Sequence, residues 1–272
     1  MFSFIAWLCI AYSLVLVAAV IAEPRLIYPN RGKRDVALAP NDSNMKLLSL
    51  TTSDNIRVRG LFYRPAEADG TILYCHGNGV WLNRVETFIA NLGDRMRVNV
   101  LAFDYRGYGE SEGSPNECGL IKDGLAAYDF LIAQSIFPDH IILYGRSLGG
   151  AVAAQLAAQQ PVGGLVLENT FSSMLDVAKH HYRWLPIDWI LRNRFDSASS
   201  LKKFRGPLLQ SHGSADRLVP AELAQRLFNS AATPDHLKHF LLAEEGGHND
   251  SWTVEFDEEF ESFVDRILGR NP

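Results

Sequence analysis

The stretch that decides the fold is His140-Ile-Ile-Leu-Tyr-Gly-Arg-Ser-Leu-Gly-Gly-Ala-Val-Ala-Ala-Gln-Leu156. Residues 141–144 are a short apolar run typical of a buried strand, and residues 148–160 favour a helix. Where a strand passes directly into a helix, the residue at the turn adopts a strained backbone conformation. The residues next to it must be small, so that the strand and the helix can approach each other. Glycines stand on both sides of Ser147. The sequence therefore predicts that Ser147 projects from a tight strand-to-helix turn as a nucleophile.

A second Gly-x-Ser-x-Gly pattern occurs at residues 109–113. No apolar run directly precedes Ser111, and Pro115 follows too closely for a helix to begin there. Two flanking glutamates would also oppose a developing oxyanion. We therefore predict that Ser111 is a loop residue and that Ser147 is the nucleophile.

The composition limits the classes of protein to which the chain can belong. The chain has 272 residues, is 47% hydrophobic and carries a formal net charge of −5, which suits one large α/β domain. The basic residues are scattered, so nucleic acid is not an expected partner. Three widely spaced cysteines do not form a disulfide framework, and the sequence has no Cys-x-x-Cys or His-x-x-x-His spacing. We expect neither a metal nor a cofactor.

An uncharged apolar run covers residues 2–22. As a helix it would be about 31 Å long, which matches the hydrocarbon core of a bilayer. A cleaved signal peptide is the alternative, but the basic n-region is missing and the run is long for one. The sequence predicts a transmembrane anchor over residues 1–22, a juxtamembrane linker over 23–44 and the folded domain over 45–272. The positive-inside rule favours a cytoplasmic domain, because basic residues follow the span: Arg25, Arg31, Lys33 and Arg34.

Beyond the linker, an alternating hairpin is expected over residues 45–63, and short apolar runs then alternate with helical stretches. The predicted strands of that second part are residues 71–75, 98–103, 141–144, 165–167, 208–210 and 240–242. This alternation predicts an α/β fold with a mostly parallel sheet flanked by helices. In such a sheet the catalytic and binding residues lie at the carboxyl ends of the strands.

Three histidines follow predicted strands. His248 lies in a Gly-Gly-His loop after the last strand, which leaves its imidazole free to act as the base for Ser147. Asp216 follows the preceding strand, and the chain order Ser, Asp, His is the one found with this type of turn. We expect His76 and His212 to hold their own loops in place.

Two other carboxylates compete with Asp216 for the role of the acid. Asp250 directly precedes the last helix, so we expect it to be the N-cap of that helix. Glu168 also ends a strand and remains an alternative.

A developing oxyanion needs two N–H donors. Leu148 directly follows the nucleophile and offers one of them. The glycine-rich loop after residues 71–75 offers the other, through the main chain of Asn78. A glycine-rich turn that only connects a strand to a helix would have the same sequence.

Together these segments resemble the α/β-hydrolases, and in particular the small membrane-anchored serine hydrolases that include the eukaryotic protein depalmitoylases and their bacterial relatives. The resemblance covers nearly everything from about residue 45 onward. It implies a triad of Ser147, Asp216 and His248 and hydrolysis of an acyl ester or thioester. The substrate is then a small or lipid-like acyl compound, or an acylated protein. The segments that carry it are residues 76–78, 103–109, 145–150, 168–171, 212–216 and 247–250.

Residues 170–206 form a long insertion after the strand ending near Glu168, where this fold commonly carries a lid. We predict that its apolar side chains cover an acyl chain. A helix that packs its apolar stripe on the core would give the same pattern. The predicted binding residues of the lid are Trp184, Leu185, Trp189 and Leu191.

The sequence thus favours a serine esterase or thioesterase that acts through an acyl-enzyme. One alternative is a serine peptidase of the aminopeptidase type, although no residue is identified that would bind an amino terminus. The other is a non-catalytic membrane-anchored binding protein, which would not need all three residues of the triad.

Overall fold

An eight-stranded sheet forms the centre of the computed structural model, which describes residues 2–29, 32, 40 and 42–270. In space the strands follow the order β1-β2-β4-β3-β5-β6-β7-β8. The pairs β1–β2 and β2–β4 are antiparallel, and the other pairs are parallel. The predicted α/β architecture is therefore confirmed. The strands are β1 (Met45–Thr51), β2 (Arg57–Tyr63), β3 (Gly70–Cys75), β4 (Val98–Phe103), β5 (Ile141–Arg146), β6 (Gly164–Glu168), β7 (Leu208–Gly213) and β8 (Lys238–Ala243).

Helices cover both faces of the sheet. Side chains of α2 and α9 belong to the core on one face, and those of α3, α4 and α8 belong to the core on the other. The segment between β6 and β7 holds the three short helices α5, α6 and α7. The helices are α1 (Phe2–Ile27), α2 (Leu82–Met96), α3 (Glu117–Ala133), α4 (Leu148–Ala157), α5 (Met174–His181), α6 (Ile187–Ile190), α7 (Ser197–Leu201), α8 (Ala221–Ser230) and α9 (Val254–Leu268).

The outer helices are amphipathic, whereas α4 is buried on nearly all sides. In α2 the buried residues Val85, Ile89, Leu92 and Met96 recur at three- and four-residue spacing, which places one apolar stripe on the sheet. α4 instead packs against β5 on one side and α3 and α7 on the others, so its alanines and valine are all enclosed. This central helix begins at the turn that carries Ser147.

α1 extends beyond the predicted end of the anchor. It continues through Pro24 to Ile27, where the sequence predicted a linker from residue 23 onward. The reason is that Glu23, Ile27 and Tyr28 become buried against the folded domain, being only 5%, 8% and 0% exposed. Most of the remaining predicted linker lies outside the described residues, as do Arg31, Lys33 and Arg34, on which the predicted orientation in the membrane depended.

The start of α4 touches the end of β3. A Cβ atom added to Gly149 would lie 1.9 Å from the carbonyl oxygen of Cys75, a distance that no side chain tolerates. Glycine therefore allows the helix to begin directly against the neighbouring strand. This close approach fixes the position of the turn at Ser147.

We predict that Gly149→Ala lowers the free energy of unfolding by about 3 kcal/mol or more, because the new methyl group collides with backbone atoms that cannot move aside. Urea denaturation of the two proteins measures the difference. Gly77→Ala is the matched control, since its Cβ would meet no atom closer than 3.5 Å. Equal stabilities of the two variants would contradict the proposed packing constraint.

Candidate active site

Ser147 occupies the turn between β5 and α4. Its backbone has φ 52° and ψ −119°, a conformation that costs energy in any residue with a side chain. Hydrogen bonds at both of its peptide groups hold the turn. The Ser147 amide donates to the carbonyl of Glu168 over 2.8 Å. The Ser147 carbonyl accepts from the Gly150 amide at 2.9 Å and from the Thr170 hydroxyl at 2.8 Å.

The imidazole of His248 lies between Ser147 and Asp216. Its Nε2 is 3.0 Å from Oγ of Ser147, and its Nδ1 is 2.7 Å from Oδ2 of Asp216. Asp216 follows β7 and His248 follows β8, so two neighbouring strands position the two side chains at one edge of the sheet. The structure thus brings together the three residues that the sequence singled out as nucleophile, acid and base.

The carboxyl group of Asp216 is fully buried and held at both oxygens. Its Oδ1 accepts from the amides of Leu218 and Val219 at 2.8 and 2.9 Å, while Oδ2 faces His248. Burial opposes ionisation, but the hydrogen bonds from His248 and Val219 outweigh it, so the pKa of Asp216 is lowered. An ionised carboxylate in this position can hold the Nδ1–H tautomer of His248 and stabilise an imidazolium.

His212 and His76 hold their own loops, as predicted. Nε2 of the buried His212 is 2.8 Å from the carbonyl oxygen of Val219, and burial lowers the pKa of this imidazole. Nδ1 of His76 is 2.9 Å from the carbonyl oxygen of Gly77. Both side chains shape the loops that carry other functional residues.

Glu168, the alternative acid, is bound to other partners. Its carboxylate accepts hydrogen bonds from the hydroxyls of Tyr144 and Ser251 and lies 3.2 Å from Nε of Arg146. It therefore joins β5, β6 and the loop that follows β8. The His248 imidazole pairs with Asp216 instead.

The prediction that Asp250 caps the last helix is wrong. α9 begins at Val254, and the hydroxyl of Thr253 caps it by accepting from the Phe256 amide at 3.1 Å. The chain between Asp250 and Thr253 is not helical, because Ser251 is fixed to the sheet: its hydroxyl donates to Glu168 at 2.9 Å and its carbonyl accepts from the hydroxyl of Ser211 at 3.0 Å. The exposed carboxylate of Asp250 accepts from the amide of Gly247 at 3.3 Å and closes the preceding loop.

Ser111 is part of a loop, as predicted. Its hydroxyl donates to the carbonyl of Asp104 at 3.0 Å and accepts from the amide of Arg59 at 2.9 Å. These two bonds fix the loop after β4 to β2.

Two backbone amides stand next to the Ser147 turn. Leu148 is the first residue of α4, so its amide is one of the first-turn donors that a helix leaves unpaired. The loop after β3 touches the same turn, because a Cβ on Gly77 would lie 3.6 Å from Cβ of Ser147. Among residues 2–29 and 42–270, neither the Leu148 nor the Asn78 amide donates to a protein acceptor. Both remain available for a ligand.

The side chain of Asn78 is held at both ends. Its Oδ1 accepts from the hydroxyl of Tyr108 at 2.7 Å, and its Nδ2 donates to the carbonyl of Ile27. Ile27 is the last residue of α1, a contact that the sequence did not reveal because residues 23–44 were predicted to be a linker. The end of α1 thus braces the loop that carries Asn78.

A family model described as the alpha/beta hydrolase fold matches residues 70–240. The chain belongs to the α/β-hydrolase family. An uncharacterized protein of Mycobacterium tuberculosis is 37% identical over 234 residues, which cover 84% of this chain and 81% of that protein. The alpha/beta hydrolase domain-containing protein 17B of Xenopus tropicalis is 32% identical over 205 residues, 73% of this chain and 67% of that protein. An esterase of Pyrococcus furiosus shares the fold, with a TM-score of 0.67 at 20% identity over 88% of this chain and 96% of the other.

A mostly apolar cavity of about 240 Å³ lies beside Ser147 in this α/β-hydrolase. One wall comes from α1 and another from the lid segment (residues 170–206). Across the parts of the chain that the structure describes, no group of His, Cys, Asp and Glu side chains is placed to hold a metal ion. The cavity-lining side chains of the lid segment include Met174, Val177, Leu185, Ile187, Ile190 and Leu191.

Only part of the predicted lid site lines this cavity. Leu185 and Leu191 do so, whereas Trp184 and Trp189 lie on the outer surface, 63% and 89% exposed. The prediction that Trp184 and Trp189 cover the acyl site is therefore wrong. The reason is the short helix α6, whose two isoleucines lie three residues apart and turn inward, which places Trp189 on the opposite side.

Asn169 is a supporting residue to which the sequence reasoning gave no role. Its Nδ2 donates to the carbonyl of His248 at 2.7 Å and to the hydroxyl of Ser251 at 2.6 Å, and its Oδ1 accepts from the amide of Gly213 at 3.0 Å. Its φ of 46° is one that asparagine tolerates better than most residues. Asn169 thus ties the loop of His248 to the strand that precedes Asp216.

We predict that Asn169→Asp lowers the free energy of unfolding by about 1–3 kcal/mol, because it keeps the acceptor for Gly213 but removes both N–H donors from a buried site. Urea denaturation measures the change. Asn229→Asp, at an exposed helical position, serves as the control and should change stability by about 0.5 kcal/mol or less. If the two variants lose the same stability, Asn169 does not hold the His248 loop.

Proposed function

We propose that this α/β-hydrolase is a serine hydrolase that cleaves carboxylic esters or acyl thioesters through an acyl-enzyme. The observation that carries the proposal is the continuous contact from Oγ of Ser147 through the imidazole of His248 to the buried carboxylate of Asp216. Serine is a weak nucleophile until a positioned base takes its proton. A pairing of imidazole with carboxylate at these distances provides such a base.

In the proposed mechanism Nε2 of His248 takes the proton of Ser147 as Oγ attacks the carbonyl carbon of the substrate. The negative charge that develops on the carbonyl oxygen is stabilised by the amides of Leu148 and Asn78. His248 then returns the proton to the departing alcohol or thiol, which leaves an acyl group on Ser147. Water attacks this acyl-enzyme while His248 takes a proton from it, and His248 then returns that proton to Oγ of Ser147 as the bond to the acyl group breaks and the carboxylic acid is released.

The walls of the cavity favour an acyl group over a peptide. Apolar side chains of α1 and the lid segment surround the space beside Ser147. An aminopeptidase needs a group that binds the amino terminus of its substrate. Glu23 lines the cavity, but its Oε1 already accepts from the amides of Arg192 and Asn193 at 2.8 and 2.9 Å, and its Oε2, which has no hydrogen-bond partner among the described residues, is buried away from solvent.

We also propose that α1 is a retained membrane anchor. Residues Phe4–Ile27 form a helix long and apolar enough to cross a bilayer, with a mean hydropathy of 2.6. A cleaved signal peptide would have the same composition. Cleavage after residue 22 would leave Glu23 to Ile27 in place, but it would remove Ala19, which lines the cavity, and Tyr12, whose hydroxyl donates to the carbonyl of Trp184 at 3.3 Å. These two contacts favour a retained helix.

Replacement of the two serines tests the proposed nucleophile. We predict that Ser147→Ala abolishes hydrolysis of p-nitrophenyl butyrate, whereas Ser111→Ala keeps kcat and costs about 1 kcal/mol of stability for its lost loop hydrogen bonds. An aminoacyl p-nitroanilide assayed in parallel distinguishes esterase from peptidase activity. Ester hydrolysis that survives in Ser147→Ala would refute the proposal, and faster cleavage of the anilide than of the ester would favour a peptidase.

The acid is tested by a pair of aspartates on neighbouring loops. We predict that Asp216→Asn lowers kcat by a factor of about 10⁴, because the amide no longer holds the required imidazole tautomer. Asp250→Ala should leave kcat within about twofold, since its side chain only closes the loop before α9. Steady-state ester hydrolysis measures both. Full activity in Asp216→Asn would exclude Asp216 as the acid.

A further inference from the structure

The C-terminal half of α1 presents one face to the folded domain. Leu16, Ala19, Val20, Glu23 and Ile27 are buried or half-buried and recur at a spacing of three and four residues, which defines a helical stripe; the half-buried Ala22 and Pro24 lie next to it. Three of them, together with the neighbouring Leu26, line the cavity beside Ser147. The helix is therefore a wall of the active site as well as a tether.

Hydrogen bonds fix this face of α1 to the lid segment. Oε1 of the buried Glu23 accepts from the amides of Arg192 and Asn193 and from Nδ2 of Asn193 at 3.1 Å. The buried hydroxyl of Tyr28 donates to Oδ1 of Asn193 at 3.0 Å. Such a buried network keeps the end of α1 and the lid in one relative position.

The packed part of α1 reaches back to Tyr12, whose hydroxyl donates to the carbonyl of Trp184 at 3.3 Å. The apolar span of α1, Phe4–Ile27, includes this packed part of the helix. A bilayer that takes up the whole span therefore also meets the surface of the lid segment that lies beside the helix.

That surface has the composition of a membrane interface. It exposes the rings of Tyr182, Trp184 and Trp189, which are 40%, 63% and 89% exposed. Tyrosine and tryptophan are the residues that favour the level of the lipid headgroups. The exposed cation Arg183 lies between Tyr182 and Trp184 in the chain and suits anionic headgroups.

We propose that the packed C-terminal half of α1 and the outer face of the lid segment lie together at the surface of the bilayer that holds the anchor, and that the acyl chain of the substrate passes from the bilayer along α1 into the cavity. The substrate class is then an ester or thioester whose acyl chain is embedded in the membrane and whose carbonyl lies at headgroup level. This inference rests on the proposed function, because it requires acyl transfer to Ser147.

Adjacent alanines of α1 provide the first test, in full-length protein reconstituted into vesicles of phosphatidylcholine and phosphatidylglycerol. Ala19 lines the cavity, and Ala18 is exposed on the outer side of the helix. Ala19→Phe should lower the ratio of kcat/KM for p-nitrophenyl decanoate to that for the acetate by about tenfold, since each methylene excluded from an apolar site costs nearly fourfold in binding. Ala18→Phe should leave the ratio unchanged. Equal ratios in the two variants would overturn the proposal.

The outer face of the lid is tested with the double variant Trp184→Asp/Trp189→Asp. Hydrolysis of p-nitrophenyl palmitate embedded in the vesicles should fall by about tenfold, because carboxylates are expelled from the membrane, while hydrolysis of soluble p-nitrophenyl acetate should be retained. Phe137→Asp is the control: Phe137 is 73% exposed and precedes β5, at the sheet edge opposite Ser147. A double variant that hydrolyses the embedded ester at the wild-type rate would overturn the proposal. Wild-type protein that fails to hydrolyse even the acetate would instead refute the proposed function.

A second measurement covers the case in which the double aspartate variant does not fold. In Trp7→Phe protein, lipids brominated along the acyl chain should quench the tryptophan fluorescence, since Trp184 and Trp189 then lie within reach of the chains. The additional changes Trp184→Phe and Trp189→Phe should remove most of that quenching. Quenching that is absent, or that persists unchanged, would show that the lid does not enter the bilayer.

Discussion

The close contact between the start of α4 and the end of β3 is the constraint on which the rest of the site depends. Gly149 lies so close to the carbonyl of Cys75 that no side chain fits there, and the preceding Ser147 has a positive φ of 52°. The same contact brings the amide of Leu148 and the loop of Asn78 to one point beside Ser147. A packing requirement between one helix and one strand thereby orders three groups that a hydrolase needs together.

β6 contributes none of the three residues in the Ser–His–Asp chain of contacts, but its end holds their loops in place. Glu168 binds Arg146 and Ser251, and the next residue, Asn169, binds the carbonyl of His248. The strand therefore supports the turn of Ser147 on one side and the loop of His248 on the other. Because these polar groups are buried, each lost partner leaves an unsatisfied group, which makes the network stiff.

The parts of the site that local chain geometry dictates could be predicted from the sequence. Ser147 followed from a strand, a glycine-flanked turn and a helix, and Asp216 and His248 followed from their places after successive strands. Contacts between distant segments could not be predicted in this way. The burial of Glu23 depends on amides in the lid segment, and the outward position of Trp189 depends on the brief α6 helix, neither of which has a local signal. The start of α9 differs from the prediction for a related reason. Both Asp250 and Thr253 are good caps, and the hydrogen bonds of Ser251 to Glu168 and Ser211 keep the chain non-helical until Thr253.

The central claim is that Ser147 is a nucleophile activated by its contact with His248. Its most direct test is to label the full-length protein with a fluorophosphonate, digest it and locate the adduct by peptide mass spectrometry. The account predicts one adduct, on the peptide that contains Ser147, and its loss when His248 is replaced by Ala, because the hydroxyl then has no base. An adduct on a different residue, or undiminished labelling of Ser147 without His248, would contradict the account.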